Sequence, residues 1–144
     1  MLDRNMLVGI FLAKGNFVVK LEPSETTAIG YHIRMAANIS FRTYDMQSAI
    51  SRTLEMHDVA HSLQGSLVRL GKNSAAKVVQ MIPETLHYLN PKLTTFKMVW
   101  DIVENKEHKT LQGLNKIIKI LYGENKEHSR GWGKRNVASY DLSD

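Results

Sequence analysis

Between Asn16 and Arg42, polar and cationic side chains recur at every second position. Asn16, Lys20 and Glu22 alternate with Phe17, Val19 and Leu21. Further on, His32, Arg34, Ala36, Asn38, Ser40 and Arg42 alternate with Tyr31, Ile33, Met35, Ala37, Ile39 and Phe41. A period of two predicts two strands, each with one apolar and one polar face. A shorter hairpin, 59–63 and 66–70, is expected around Gln64-Gly65 with Leu63 opposite Ser66. It turns Val59, Leu63, Val68 and Leu70 inward and adds Ser62 and Arg69 to the polar face, with Lys72 just beyond. That face carries five cations, Lys20, Arg34, Arg42, Arg69 and Lys72, against one acid, Glu22. Lysine and arginine neutralise phosphates, while arginine, asparagine and serine also reach base edges. The chemistry on offer is recognition of a polyanion, and acids are absent from 28–44 and from 59–83.

Other residue sets offer less. His57 and His61 have the spacing of a zinc-binding helix, with Asp58 between them, but His57 falls at a helix end, His61 in a strand, and no third ligand follows. Asp101, Glu104 and Glu107 are interleaved with Lys97, Lys106 and Lys109, the pattern of a solvated helix. The seven methionines are scattered as core filler. No glycine-rich phosphate loop is present, and no serine stands in the context of a nucleophile. With no cysteine, thiolate metal sites and disulfides are excluded. The stretch from Ser129 to Asp144 combines Arg130, Trp132, Lys134 and Arg135 with glycines, a composition that can order on folded RNA by stacking and charge.

The elements that must hold these residues are legible from periodicity. A helix is expected from Asp3 to Lys14, with Met6, Leu7, Ile10 and Phe11 at helical spacing, Asp3 as N-cap and Gly15 as C-cap. Further helices are expected over 45–56, with Met46, Ala49, Ile50 and Leu54 inward, then over 74–82, 94–104 and 110–122, with a break at Asn90-Pro91. The order α-β-β-α-β-β-α-α-α gives an α+β fold, a curved antiparallel four-stranded sheet with helices on one face. Its 144 residues suit one domain, 1–127, followed by a basic, aromatic tail, 128–144. At 43% hydrophobic and 23% charged residues, the composition is globular. No apolar run approaches the ~18 residues of a membrane span, and the first residues read as helix rather than leader. The net charge of +5 collects in the strands and the tail. An intracellular setting is expected, in a prokaryotic cytoplasm or an organelle.

Residues Leu7 to Gly15, LVGIFLAKG, followed by Asn16-Phe17, resemble the LAGLIDADG motif of homing endonucleases and intron maturases. Leu7, Gly9, Ala13 and Gly15 match it letter for letter. The segment Gly30 to Ser40 resembles that family's second strand, and Phe96 to Tyr122 its closing helices, so the likeness spans Met6 to Glu127. The resemblance implies motif helices paired across a two-fold axis, here through Met6, Gly9, Ile10 and Ala13, in a homodimer. It also implies a saddle-shaped sheet that grips nucleic acid. Small residues one turn apart, Gly9 and Ala13, would let two helix backbones approach closely.

In cleaving members of that family, the acid before the final glycine binds a divalent metal; that position is Lys14 here, and the motif's earlier acid position is Leu12. An ammonium group cannot ligate Mg²⁺. The expectation is therefore a catalytically inactive protein without metal or cofactor. It would bind structured nucleic acid, RNA ahead of duplex DNA, in a ribosome-associated, rRNA-binding or intron-splicing role. The expected contacts are Lys14, Asn16, Lys20, His32, Arg34, Asn38, Ser40, Arg42, Ser62, Arg69 and Lys72, with Arg130, Trp132, Lys134 and Arg135 from the tail. Two alternatives are an active Mg²⁺-dependent DNA endonuclease with a relocated acid, and a protein-interaction module that kept only the fold.

Overall fold

A computed structural model describes residues 2–25 and 29–123. Helix α1 (Arg4–Lys14) leads into strands β1 (Asn16–Pro23) and β2 (Tyr31–Ser40), then helix α2 (Tyr44–Met56). Strands β3 (Ser62–Gln64) and β4 (Leu67–Leu70) are followed by helix α3 (Lys72–Met81) and a 3₁₀ segment, Glu84–Leu89. Helices α4 (Pro91–Glu104) and α5 (Leu111–Tyr122) complete the order, separated by a second 3₁₀ turn, Glu107–Lys109. The expected α+β fold with one four-stranded sheet is present, its strand order β1-β2-β4-β3. The chain divides into two compact units. One is formed by 1–22 and 33–97, the other by 23–32 and the segment that begins at Met98. The expected domain boundary at 127/128 lies outside the described residues.

The first unit is built on α1. Asp3 Oδ1 accepts from the Met6 amide at 2.8 Å, the expected N-cap. Leu7, Val8 and Phe11 are buried, and the rings of Phe11, Phe17 and Phe96 meet at centroid distances of 6.4 and 5.6 Å. Met6 and Ile10 do not join that core. Val8 takes the inward place, leaving Met6 51% exposed and Ile10 half-buried on the neighbouring face. Gly15 caps the helix in an extended rather than left-handed conformation, its N–H donating to Phe11 O at 2.9 Å. A Cβ there would collide with the Phe11 carbonyl and lie 3.0 Å from the Phe17 ring. Gly15→Ala should accordingly lower stability by about 1–3 kcal/mol, read as the denaturant midpoint.

Alternation in the strands largely follows expectation: Phe17, Leu21, Met35, Ala37, Ile39, Val68 and Leu70 are buried, while Val19, Tyr31 and Ile33 of the same apolar face are only half-buried. The α2 helix and the second hairpin depart from expectation in detail. Met46 is 38% exposed, and the buried position is Gln47, whose Nε2 donates to Gly65 O at 2.8 Å and Leu67 O at 3.2 Å. The amide takes that site ahead of the methionine because it can donate to two hairpin carbonyls and tie α2 to the hairpin, which a thioether cannot do. Leu63 pairs with Val68 and Gln64 with Leu67, so the two-residue turn is Gly65-Ser66 rather than Gln64-Gly65. Gly65 adopts φ +57°, where glycine carries no steric cost. Because the register moved by two, the side chains that do pair kept their expected faces, although β3 begins at Ser62 and leaves Val59 to His61 of the expected strand outside the sheet. Leu63, on the edge strand, is nevertheless 50% exposed. The Asn90-Pro91 break is the start of α4, with proline in the first turn where its missing N–H costs nothing.

In the second unit, Leu114, Ile117, Ile118 and Tyr122 of α5 are buried, as are Val99, Ile102 and Val103 of α4. Thr110 N-caps α5, accepting from Gly113 N at 3.0 Å. Among the described residues no helix is long and apolar enough to cross a membrane.

Candidate nucleic-acid interface

The outward face of the sheet is set by strand pairing. Asn38 of β2 lies opposite Arg69 of β4, which lies opposite Ser62 of β3. One step along, Ser40, Leu67 and Gln64 form the next such row. Residues two apart on a strand share a face, so both rows project away from buried Ala37, Ile39, Val68 and Leu70. Lys20, Arg34, Ser40, Arg42, Ser62 and Lys72 are exposed, and Asn16, Glu22, Asn38 and Arg69 half-buried. Arg42 follows the end of β2, and Lys72 opens α3. His32, also exposed on β2, belongs to the second unit. Arg130, Trp132, Lys134 and Arg135 lie outside the described residues.

The cations of this face are of two kinds. Arg34 Nη1 stands 3.7 Å from Glu22 Oε1, both side chains about half exposed, a pair that adds little stability but offsets the arginine's charge. Arg69 Nη1 donates to Gln64 Oε1 at 3.0 Å, so it is oriented and keeps its full charge. Lys20, Arg42 and Lys72 have no side-chain partner among the described residues and present exposed charges. Alternation alone did not single out Gln64, which stood in the expected turn.

Lys14 is the exposed last residue of α1. Four oxygens beside it accept hydrogen bonds. Asn90 Nδ2 donates to the carbonyls of Phe11 (3.3 Å), Leu12 (3.3 Å) and Gly15 (3.0 Å), while Asn90 Oδ1 accepts from Leu93 N at 3.1 Å as N-cap of α4. Lys92 Nζ donates to Asn16 Oδ1 at 2.9 Å. The end of the motif helix thus carries a terminal ammonium, a second ammonium on the following asparagine and, among the described residues, no carboxylate. A divalent cation needs several free oxygens, preferably anionic, so these residues do not fit one. Neither Asn90 nor Lys92 was singled out in sequence; the only signal was the Asn-Pro pair, which suits an N-cap before a first-turn proline.

The remaining candidates separate in space. His61 Nδ1 donates to Val59 O at 2.9 Å, leaving Nε2 to accept from Ser51 Oγ at 2.7 Å, so both ring nitrogens are occupied and His57 sits apart at the α2 C-cap. Glu104 of α4 accepts from Trp100 Nε1 at 2.8 Å, but Glu107 lies beyond α4 on the second 3₁₀ turn and pairs with Lys116 of α5 at 3.7 Å, so the three acids do not share one helix as expected. Among the described residues, no group of three or more histidines and carboxylates is placed to hold a metal ion.

This α+β architecture, with its capped motif helix and antiparallel sheet, is the fold of the LAGLIDADG homing endonucleases. No protein-family model matches the chain, and no curated protein matches it at a significant level. Solved structures carry the likeness. The archaeal intron-encoded homing endonuclease I-Vdi141I complexed with DNA superposes with a TM-score of 0.73 at 17% identity, over 95% of this chain and 91% of that one. The homing endonuclease I-TnaI gives 0.66 at 21% identity, over 83% and 85%. I-SmaMI bound to cleaved DNA gives 0.69 at 20% identity, over 91% of this chain but 46% of its own, so this chain spans about half the length of that protein.

Proposed function

We propose that the chain binds duplex nucleic acid along the outward face of its sheet and does not cut it with its own residues. The observation that carries the first half is the paired rows of Asn38, Arg69, Ser62 and Ser40, Leu67, Gln64, flanked by Lys20, Arg42 and Lys72. Side chains standing off a strand pair suit the wide major groove of B-form DNA, whereas the major groove of A-form RNA is too narrow to admit them. The DNA held by two of the fold neighbours supports the same choice. A binding face without cleavage also suits RNA, as does the segment with Trp132, which lies outside the described residues, so a ribosomal, maturase or splicing role becomes an outcome of competition with RNA. A nucleic-acid target implies an intracellular setting.

The second half rests on the end of α1. Lys14 projects a cation where hydrolysis would need an anionic ligand, and Lys92 occupies Asn16. Either ammonium can instead contact a backbone phosphate. The face carrying Met6, Gly9, Ile10 and Ala13 is open enough that a Cβ on Gly9 would meet nothing within 4 Å. It suits pairing with a second copy, and two Lys14 side chains brought together would only repel metal further. The competing reading, an active endonuclease with an acid from elsewhere, is favoured by the activity named for the fold neighbours. Incubating supercoiled plasmid with the chain and Mg²⁺ separates the two. Plasmid that stays supercoiled while bound is the expected result, and nicked or linear product lost on mutating Asp3 or Glu22 would establish the nuclease.

A further inference from the structure

We propose that Arg69 reads a guanine through its guanidinium fork and that Gln64 is its positioning residue, an assignment that rests on duplex-DNA binding by the sheet face. Four observations single out Arg69 among the cations. It lies on β4, an inner strand bonded on both sides, between Val68 and Leu70, which are 0% and 1% exposed. Its backbone is therefore held by the core. The hairpin that carries it is pinned from α2 by the Gln47 amide on Gly65 O and Leu67 O. Its guanidinium is held in turn by Gln64 Oε1 at 3.0 Å from Nη1.

The nature of that partner matters. A guanidinium has five N–H donors, and one bond to a neutral amide leaves the positive charge and most of the fork available. Arg34 faces the carboxylate of Glu22 at 3.7 Å, which offsets its charge and would repel a nearby phosphate. Guanine offers two adjacent acceptors, N7 and O6, in the major groove, and the bidentate arginine contact to them is the most frequent specific one. Asn38 and Ser62, directly across from Arg69 on either side, supply short polar groups for neighbouring base edges, while Leu67 in the next row offers an apolar contact. Pre-orientation by Gln64 removes rotamer entropy that a free arginine would lose on binding. Lys20, Arg42 and Lys72, exposed and without a side-chain partner among the described residues, are left to the phosphates.

The test is selection from a randomised duplex pool by the intact chain and its variants, followed by competition binding of the enriched duplexes. Wild type should favour G·C at one position by about tenfold or more over other pairs. Arg69→Lys keeps the charge but not the fork, so overall affinity for random duplex should hold while that preference falls to near unity. Gln64→Ala, at an exposed site, should weaken the same preference severalfold at unchanged salt dependence, and Lys20→Ala should weaken all sequences alike. Guanine preference retained in Arg69→Lys, or lost equally in Lys20→Ala, would overturn the assignment while leaving duplex binding intact. Wild type that binds duplex with no base preference would do the same. Failure of wild type to retain any duplex would instead overturn the proposed function.

Discussion

Asn90→Ala is expected to lower stability by about 2–4 kcal/mol, the largest loss from any single polar side chain of the first unit. The alanine removes the N-cap of α4, where Oδ1 holds Leu93 N, and takes the amide donor from the carbonyls of Leu12 and Gly15 at the end of α1, while Phe11 O keeps only its bond from Gly15 N. Asn90 is 8% exposed, so water cannot readily replace those bonds. Because Lys14 and Asn16 flank that junction and Lys92 follows it, the variant should also bind duplex more weakly under folding conditions. Chemical denaturation checks the first effect. Asn73→Ala, exposed on α3, is the control and should change stability by no more than about 0.5 kcal/mol. A similarly small loss at Asn90 would show that the two helices do not depend on this one side chain.

The triple variant Lys20→Ala, Arg42→Ala, Lys72→Ala is expected to weaken duplex binding by about a hundredfold near physiological salt. Each phosphate contact contributes roughly 0.9 to the slope of log affinity against log salt, so three lost contacts should flatten it by about 2.7. The three side chains are exposed and without partners among the described residues, so thermal stability should hardly change. Fluorescence anisotropy over a salt series reads both quantities. An unchanged slope would remove these residues from the interface.

Much of this was legible in sequence because it depends on periodicity. Strand alternation from Asn16 to Arg42 settles which side chains reach solvent, and it survived even where the hairpin register moved by two residues. The motif helix was legible at both ends, from Asp3 and Gly15. What periodicity could not reveal was which polar residue would be taken inward. Gln47 turns inward in place of Met46 and donates to backbone carbonyls of a distant hairpin, and no local pattern records a partner 18 residues away. Asn90 is the same case across 79 residues. Likewise, the pairing of Arg34 with Glu22 and of Arg69 with Gln64, which divides one row of equivalent cations into different roles, appears only once the strands are in register.

The central claim, that the outward sheet face is where nucleic acid binds, is tested most directly by mapping backbone-amide NMR shifts while a B-form duplex is added. The account predicts shifts concentrated at Lys20, Arg34, Asn38, Ser40, Arg42, Ser62, Arg69 and Lys72, with the acidic stretch around Asp101 and Glu104 of α4 unmoved. Shifts confined to the helices, or none at all under conditions where the chain is folded, would contradict it.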